Sequence, residues 1–522
     1  MGLKRKKIGL IFIVVFVLAL TGLFAVKYLV DNKFETYVSK LPSHINLQYD
    51  DADFDIIYGN MTLENPLITI KGQVTDEINA QIAFKSIEIK DFGYWDFYKN
   101  ENIDLELVQL SQPKITYYHN KNVEGKSYDS FLNSESNKTF AIKTFKIDQA
   151  EIEVFDVQND SLLFSTENLN LQLSSIVSSI SQSSKLPFTF EDVKIASENI
   201  KYRLNEFDDL FVESIEINTV DSKFLGLKLK TKYSKEELSK HLETERDHFD
   251  LSIASVEIKN QNLEFKKDAP VLFNANNVII DALNLDVYRD KLMNDDLKHK
   301  SLYSKMLREL SFGLDLSEIV VKNGQITYEE KVKADKKAGK LEFSNLEASI
   351  KNVSNMKEDA EETIISISSN FMKATPLKVD WNFNVNDVND RFIFKADLGL
   401  LKVEDLNQFM QPNLNIKLEG ELIKTYFTID GNANTSTIDL KTDYNQFDIV
   451  MLQDNGREKN KFLSGLINLF VSKNSKDEID DFRYSDTKTV ERDKTKSVFN
   501  FVWKNTQAGL LSAMVGDGKK KN

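Results

Sequence analysis

Residues 108–117 read VQLSQPKITY, with apolar side chains at the first, third, eighth and tenth places. Period-two alternation marks a half-buried strand. Here it runs on both sides of a four-residue gap, and its parity flips across the gap. The same spacing begins at Met61 (MTLENPLITI), Phe145 (FKIDQAEIEV), Val193 (VKIASENIKY), Val256 (VEIKNQNLEF) and Ile319 (IVVKNGQITY). That makes six copies, and the last two intervals are both 63 residues. Repetition of one small unit predicts an array in which neighbouring units complete each other's core.

Two devices keep one face apolar across such a flip. In a hairpin the two central residues are the turn, so Leu110 lies opposite Ile115 and Val108 opposite Tyr117. Asn323-Gly324 in the last copy is a strong signal for that turn. Asn65-Pro66 and Gln112-Pro113 fit it poorly, because a type I′ turn needs positive φ where the proline ring forbids it. Those copies fit a bulge or a sharp bend, which also reverses parity.

Most of the remaining chain alternates in short runs, among them AFKSIEIKDF, LGLKLKTKY and NIKLEGELIKTYFTIDG, and about 25 strands are expected. Stacked at ~4.8 Å they would extend ~120 Å. Helices are expected near 8–40, 234–247, 296–310, 403–411, 461–473 and 497–515. The expected fold is mainly β: an N-terminal transmembrane helix, then an elongated, twisted, open antiparallel β-groove built of repeats, with a few short helices. An open sheet of that length must twist. Its apolar face must pack on itself, as a sandwich or barrel, or cover something else.

The N-terminus starts with Lys4, Arg5, Lys6 and Lys7, followed by 19 uncharged residues from Ile8 to Val26. That length suits a membrane-spanning helix. A cleaved signal peptide has a shorter apolar region and a small-x-small site, which TGLFAVKYLV lacks. An uncleaved anchor is therefore expected, with its basic tip in the cytoplasm. The expected divisions are 1–40 (tip, anchor and helical extension), 41–455 (repeating groove) and 456–522 (C-terminal helical or capping section).

A net charge of −14 argues against nucleic acid, which needs a basic face. With no cysteine, thiolate metal sites and cysteine nucleophiles are excluded. His241, Glu245 and His248 would share a helix face and could hold a metal, but so charged a segment reads as a solvated surface. Asp51, Asp53 and Asp55 alternate on one strand, without the glycine and glutamate of a calcium loop. No phosphate-binding loop, nucleophile elbow or zinc-protease motif occurs. No enzyme, metal or cofactor is expected.

The C-terminal SVFNFVWKNTQAGLLSAMVG places Val498, Phe501, Val502, Ala508, Leu511 and Val515 at roughly helical spacing. It could cap an open sheet end, or meet a membrane surface or a partner groove through Trp503 and the terminal KKKN.

The anchored N-terminus followed by INLQYDDADFDIIYGNMTLENPLITI resembles the opening of AsmA-like proteins. IDLELVQLSQPKITYYHN is similar to the family's recurring repeat. LSEIVVKNGQITYEE with GKLEFSNLEASIKNV resembles its unit, and residues 395–432 look like its C-terminal module. VYRDK and ERDKTKSVFNFVWKNTQAGLLS are similar to versions in the Bacteroidota-type branch. The resemblance covers residues 1–515. It implies a repeating β-groove protein of TamB-type architecture, anchored in the inner membrane and projecting into the periplasm. Its implied role is lipid transport and outer-membrane homeostasis. Phospholipids, the inner membrane and outer-membrane or other envelope proteins would be its partners. The chain is shorter than the family's largest members. The rival reading is a non-catalytic scaffold for outer-membrane assembly. Expected groove residues are the paired positions Leu63 and Ile68, Leu110 and Ile115, Ile147 and Ile152, Ile195 and Ile200, Ile258 and Leu263, and Val321 and Ile326.

Overall fold

The computed structural model describes residues 41–55, 57–72, 77–93, 99, 103–120, 140–178, 186, 188–266, 269–357, 361–453, 473–475 and 481–515. The expected anchor at 8–26 and helix at 461–473 lie outside them. Among the described residues the chain is mainly β: 26 strands of open sheet and a few short helices. None of those helices is long and apolar enough to cross a membrane. Two compact units divide the chain, one holding Met1–Glu206, Leu210–Leu225 and Glu264–Pro270, the other Phe207–Asp209, Gly226–Leu263 and Val271–Asn522.

The first unit corrects the hairpin reading. β3 (Asn60–Glu64) and β4 (Leu67–Lys71) do not pair with each other. β3 pairs with β2 (Asp51–Asp55) and β6 (Ser86–Lys90), whereas β4 pairs with β1 (Ile45–Gln48) and β5 (Ile78–Ala83). β7 (Ile103–Ser111) and β8 (Lys114–His119) likewise run on in line, and both lie parallel to the single strand β9 (Phe140–Asp156). β10 (Ser161–Ser178) then pairs antiparallel with β9 and with β12 (Asp192–Arg203), and its far end meets β11 (Phe188–Thr189).

Each flip is one residue in the left-handed region. In five of the six copies it is the fifth residue: Asn65 (φ 50°), Gln112 (47°), Gln149 (54°), Asn260 (52°) and Asn323 (53°). In the Val193 copy it is Asn199, the seventh. One extra residue reverses parity without turning the chain back, so apolar side chains stay on one face of a bulged strand. Short amide side chains tolerate this backbone where β-branched ones do not. Pro66 and Pro113 follow the bulge residue, and their missing N–H breaks the strand there.

In the second unit β16 (Leu272–Asp290) and β17 (Gly313–Lys331) are parallel. β17 passes straight through Asn323-Gly324, where the sequence suggested a turn. Antiparallel pairing continues through β18 (Gly339–Ser354), β19 (Thr363–Phe371), β20 (Thr375–Phe383), β21 (Phe392–Leu398), β23 (Ile416–Gly431), β24 (Thr435–Met451) and β26 (Lys488–Glu491). The short strands β22 (Leu401–Lys402) and β25 (Arg483–Tyr484) flank β23 and β24. Gly420 in β23 stands at φ 101°, and a Cβ there would lie 2.4 Å from the Gln446 carbonyl oxygen, so only glycine fits against this second bulge.

Four helices interrupt the strands, all shorter than or shifted from expectation: α1 (Lys235–Leu238), α2 (Tyr303–Arg308), α3 (Asn407–Leu414) and α4 (Val498–Met514). Ser234 caps α1 with a capping box, and the Ser497 hydroxyl accepts from the Asn500 N–H to start α4. α4 packs on β23, β24, β25 and β26, and α3 on β17, β18 and β23.

Candidate functional site

Cross-strand pairing lines the repeat positions into rows across the sheet. In the first unit one row runs Ala52, Leu63, Ile87, Leu110, Ile147, Leu171 and Ile195. Beyond the bulges a second runs Leu47, Ile68, Ile82, Ile115, Ile152 and then Thr166. Neighbouring side chains in such rows touch, so each copy extends a continuous apolar stripe.

Two rows of the second unit cross eight strands without a polar break. One is Val278, Ile319, Ile350, Ile365, Trp381, Phe394, Ile429 and Ile438. The other is Ile280, Val321, Ala348, Ile367, Val379, Ala396, Phe427 and Leu440.

Burial changes along these rows. Leu63, Ile68, Leu110, Ile115, Ile147 and Ile152 are all buried in the first unit's core, whereas Ile195 and Ile200 on β12 are half-buried. The second row of that unit ends on a buried polar pair, with the Thr166 and Ser197 hydroxyls 2.5 Å apart. In the second unit Val278, Ile280, Ile319, Ile350 and Ile365 are half-buried, as are Ile258 on β15 (Asp247–Glu264) and Ile326. Val321 is buried, and Leu263 is 50 % exposed. Over β20–β24 the rows disappear beneath α4 and α2, where Leu302, Val498, Phe501 and Ala513 join the core. The half-buried stretch of β15–β19 is the candidate site: an apolar trough that no helix closes as α4 closes its far end.

Sequence reasoning missed part of this lining. Val278, Ile280, Leu285 and Val287 carry the same spacing, with Ala282 at φ 53°, and Leu341, Phe343, Ala348 and Ile350 repeat it around Asn345 at 49°. The signal was present, although Ala282 is an unexpected bulge residue. The helix reading also chose the wrong face. Val498, Phe501, Asn505, Gly509 and Ala513 are buried, while Leu511 and Val515 are exposed. Gly509 and Ala513 let the helix approach the sheet, which apolarity alone does not reveal.

Beside the trough lies a knot of charge. The Glu245 carboxylate, fully buried, meets Lys291 Nζ at 2.6 Å, Lys496 Nζ at 3.1 Å and Arg289 Nη1 at 4.0 Å. Arg289 grips Asp247 through two hydrogen bonds of 2.6 and 2.5 Å, and Lys496 reaches Asp295 at 2.7 Å. Burial alone would push the Glu245 carboxyl up; hydrogen bonds from Lys291 and Lys496 hold it below the usual carboxylate range. This arrangement ties the chain before α4 to the end of β16. It is a clamp, with no open position for substrate.

The expected helix face of His241, Glu245 and His248 does not form. His241 ends a short helical turn and stacks on Tyr233 with centroids 4.0 Å apart, while His248 lies in β15 with Nε2 2.9 Å from the Tyr233 carbonyl. Among the described residues no three acidic or histidine side chains converge as a metal site. Asp51, Asp53 and Asp55 are exposed along β2. No protein-family model matches this chain, and no curated protein matches it.

Proposed function

We propose that the chain is an AsmA-like envelope protein, anchored in the inner membrane through residues 8–26 with its bulk in the periplasm. It shields phospholipid acyl chains in the apolar trough and takes part in lipid transport and outer-membrane homeostasis. The observation that carries this reading is the pair of apolar rows crossing eight strands and remaining half-exposed over β16–β19. A soluble chain leaves such a face uncovered at a cost of about 25 cal/mol per Å². An acyl chain laid along it recovers ~0.8 kcal/mol per CH₂ removed from water. The task needs neither acid, base nor metal.

A second reading is favoured by the first unit, whose rows are closed over β1–β9 as an ordinary core. A non-catalytic scaffold for outer-membrane assembly needs only that. The test is gentle extraction of the full chain and mass spectrometry of the lipid it retains. The reference is Ile258→Asp/Ile280→Asp, which keeps the N-terminal segment. Phospholipid in excess of the reference supports the trough. Equal lipid in both overturns it and leaves the scaffold.

A further inference from the structure

α4 buries one face on β24 and presents another that nothing covers. Its exposed stripe is Phe499, Trp503, Leu511 and Val515, spaced at i, i+4, i+12 and i+16, with Phe499 61 % and Leu511 51 % exposed. Tyr303 and Met306 of α2 extend it, the Tyr303 and Phe499 rings standing 6.5 Å apart. Phe409 of α3 braces Trp503 edge-on at 6.5 Å. A large apolar patch at a protein surface marks a contact site.

Charge identifies the occupant. The chain carries 81 acidic residues in 522, a net −14, yet α4 holds no acidic residue and its single charge is Lys504. From Val498 to the C-terminus there are four lysines (Lys504, Lys519, Lys520 and Lys521) against Asp517, a net +3. Amphipathic helices with an aromatic apolar face and lysines beside it bind at the interface of anionic bilayers. We infer that the α4 stripe, with the lysines that follow it, docks on an anionic phospholipid surface. Phe499 and Trp503 enter the headgroup region while the buried face keeps its grip on the sheet. This contact is separate from the N-terminal anchor and does not depend on the trough carrying lipid.

The test reads Trp503 directly. The full chain is reconstituted in phosphatidylcholine vesicles and mixed with vesicles whose acyl chains are brominated, with and without phosphatidylglycerol. A second arm places the brominated lipid, again with and without phosphatidylglycerol, in the host vesicle. The expected result is tryptophan quenching by anionic brominated vesicles in at least one arm. It is absent in Trp503→Phe and falls about tenfold in Lys519→Glu/Lys520→Glu/Lys521→Glu or at high salt. Quenching that is equal in wild type and Trp503→Phe, or indifferent to phosphatidylglycerol, overturns the inference. So does its absence in both arms, the result if a protein covers the stripe. Lipid co-purification can succeed whatever this experiment shows, so the two readings fail separately.

Discussion

Asn323 donates from Nδ2 to the Asp281 carboxylate, 2.8 Å away on the adjacent parallel strand, while its own backbone stands at φ 53°. Its N–H in turn donates to Glu347 at 2.9 Å on the other side. One residue thus joins β16, β17 and β18 at the point where all three carry a bulge, at Ala282, Asn323 and Asn345. The first unit repeats the device: Asn65 bonds Asp50, and Gln112 bonds Gln149, at 2.8 and 3.0 Å. A column of bulges stitched by amides keeps the rows on one face, because a slip of one residue would turn every apolar side chain outward.

Replacing Asn323 separates backbone from side chain. Asn323→Gly keeps the left-handed conformation and loses only the exposed hydrogen bonds, about 1 kcal/mol. Asn323→Val adds a β-branched residue at positive φ, a further ~1–2 kcal/mol. Thermal unfolding should rank wild type above glycine and glycine above valine. Equal effects of the two substitutions would remove the bulge from the account.

Glu245 sets a pH dependence. Its carboxyl is held below the ordinary value of 4.5. Its stabilising effect is therefore complete above the range in which an unfolded glutamate titrates, and is lost as pH falls through the depressed folded value. Glu245→Gln leaves Lys291, Lys496 and Arg289 facing a neutral group, which should cost about 3–5 kcal/mol at neutral pH. The gap in melting temperature between variant and wild type should narrow as pH drops below 4.5. A gap independent of pH would mean that the clamp is steric.

Much of the β architecture was legible because period-two patterning survives without tertiary help. The strands on each side of the six gaps form as the alternation demands. Asn323-Gly324 misled because the same dipeptide serves a hairpin turn and a left-handed bulge, and only the pairing partner distinguishes them. Strand neighbours such as β7 and β9 lie about 40 residues apart and parallel, which no local pattern encodes. Of the paired trough positions, burial separates Leu110, in a closed core, from Ile280, on a half-open face, and both read identically as isoleucine-type strand residues. What lies over a face is a property of the fold.

That difference is testable. Ile82 is fully buried in the first unit, and Ile82→Asp places a carboxylate in apolar packing, so the chain should fail to fold. Ile280 is half-buried on the trough, so Ile280→Asp should fold with a modest loss of stability, about 1–3 kcal/mol, while retained lipid drops about tenfold. Circular dichroism and lipid mass spectrometry on both variants decide it. An unfolded Ile280→Asp chain would show that β16 is ordinary core.

The closed end of the second unit depends on how near α4 lies to β24. A Cβ on Gly509 would meet Ile438 Cδ1 and Leu440 Cβ at 3.1 Å each. A valine there forces the helix outward or the row to repack, at about 1–3 kcal/mol. Phe501 anchors the other end, buried and edge-on to Phe392 with centroids 6.3 Å apart. Phe501→Ala removes that packing at about 3–5 kcal/mol. Both variants should loosen α4 before the sheet. Amide exchange should therefore rise first in residues 498–514, and a fluorescent probe of apolar surface should brighten while the strand signal in circular dichroism is unchanged. Simultaneous loss of helix and strand would show that α4 is part of one cooperative core rather than a lid on the rows.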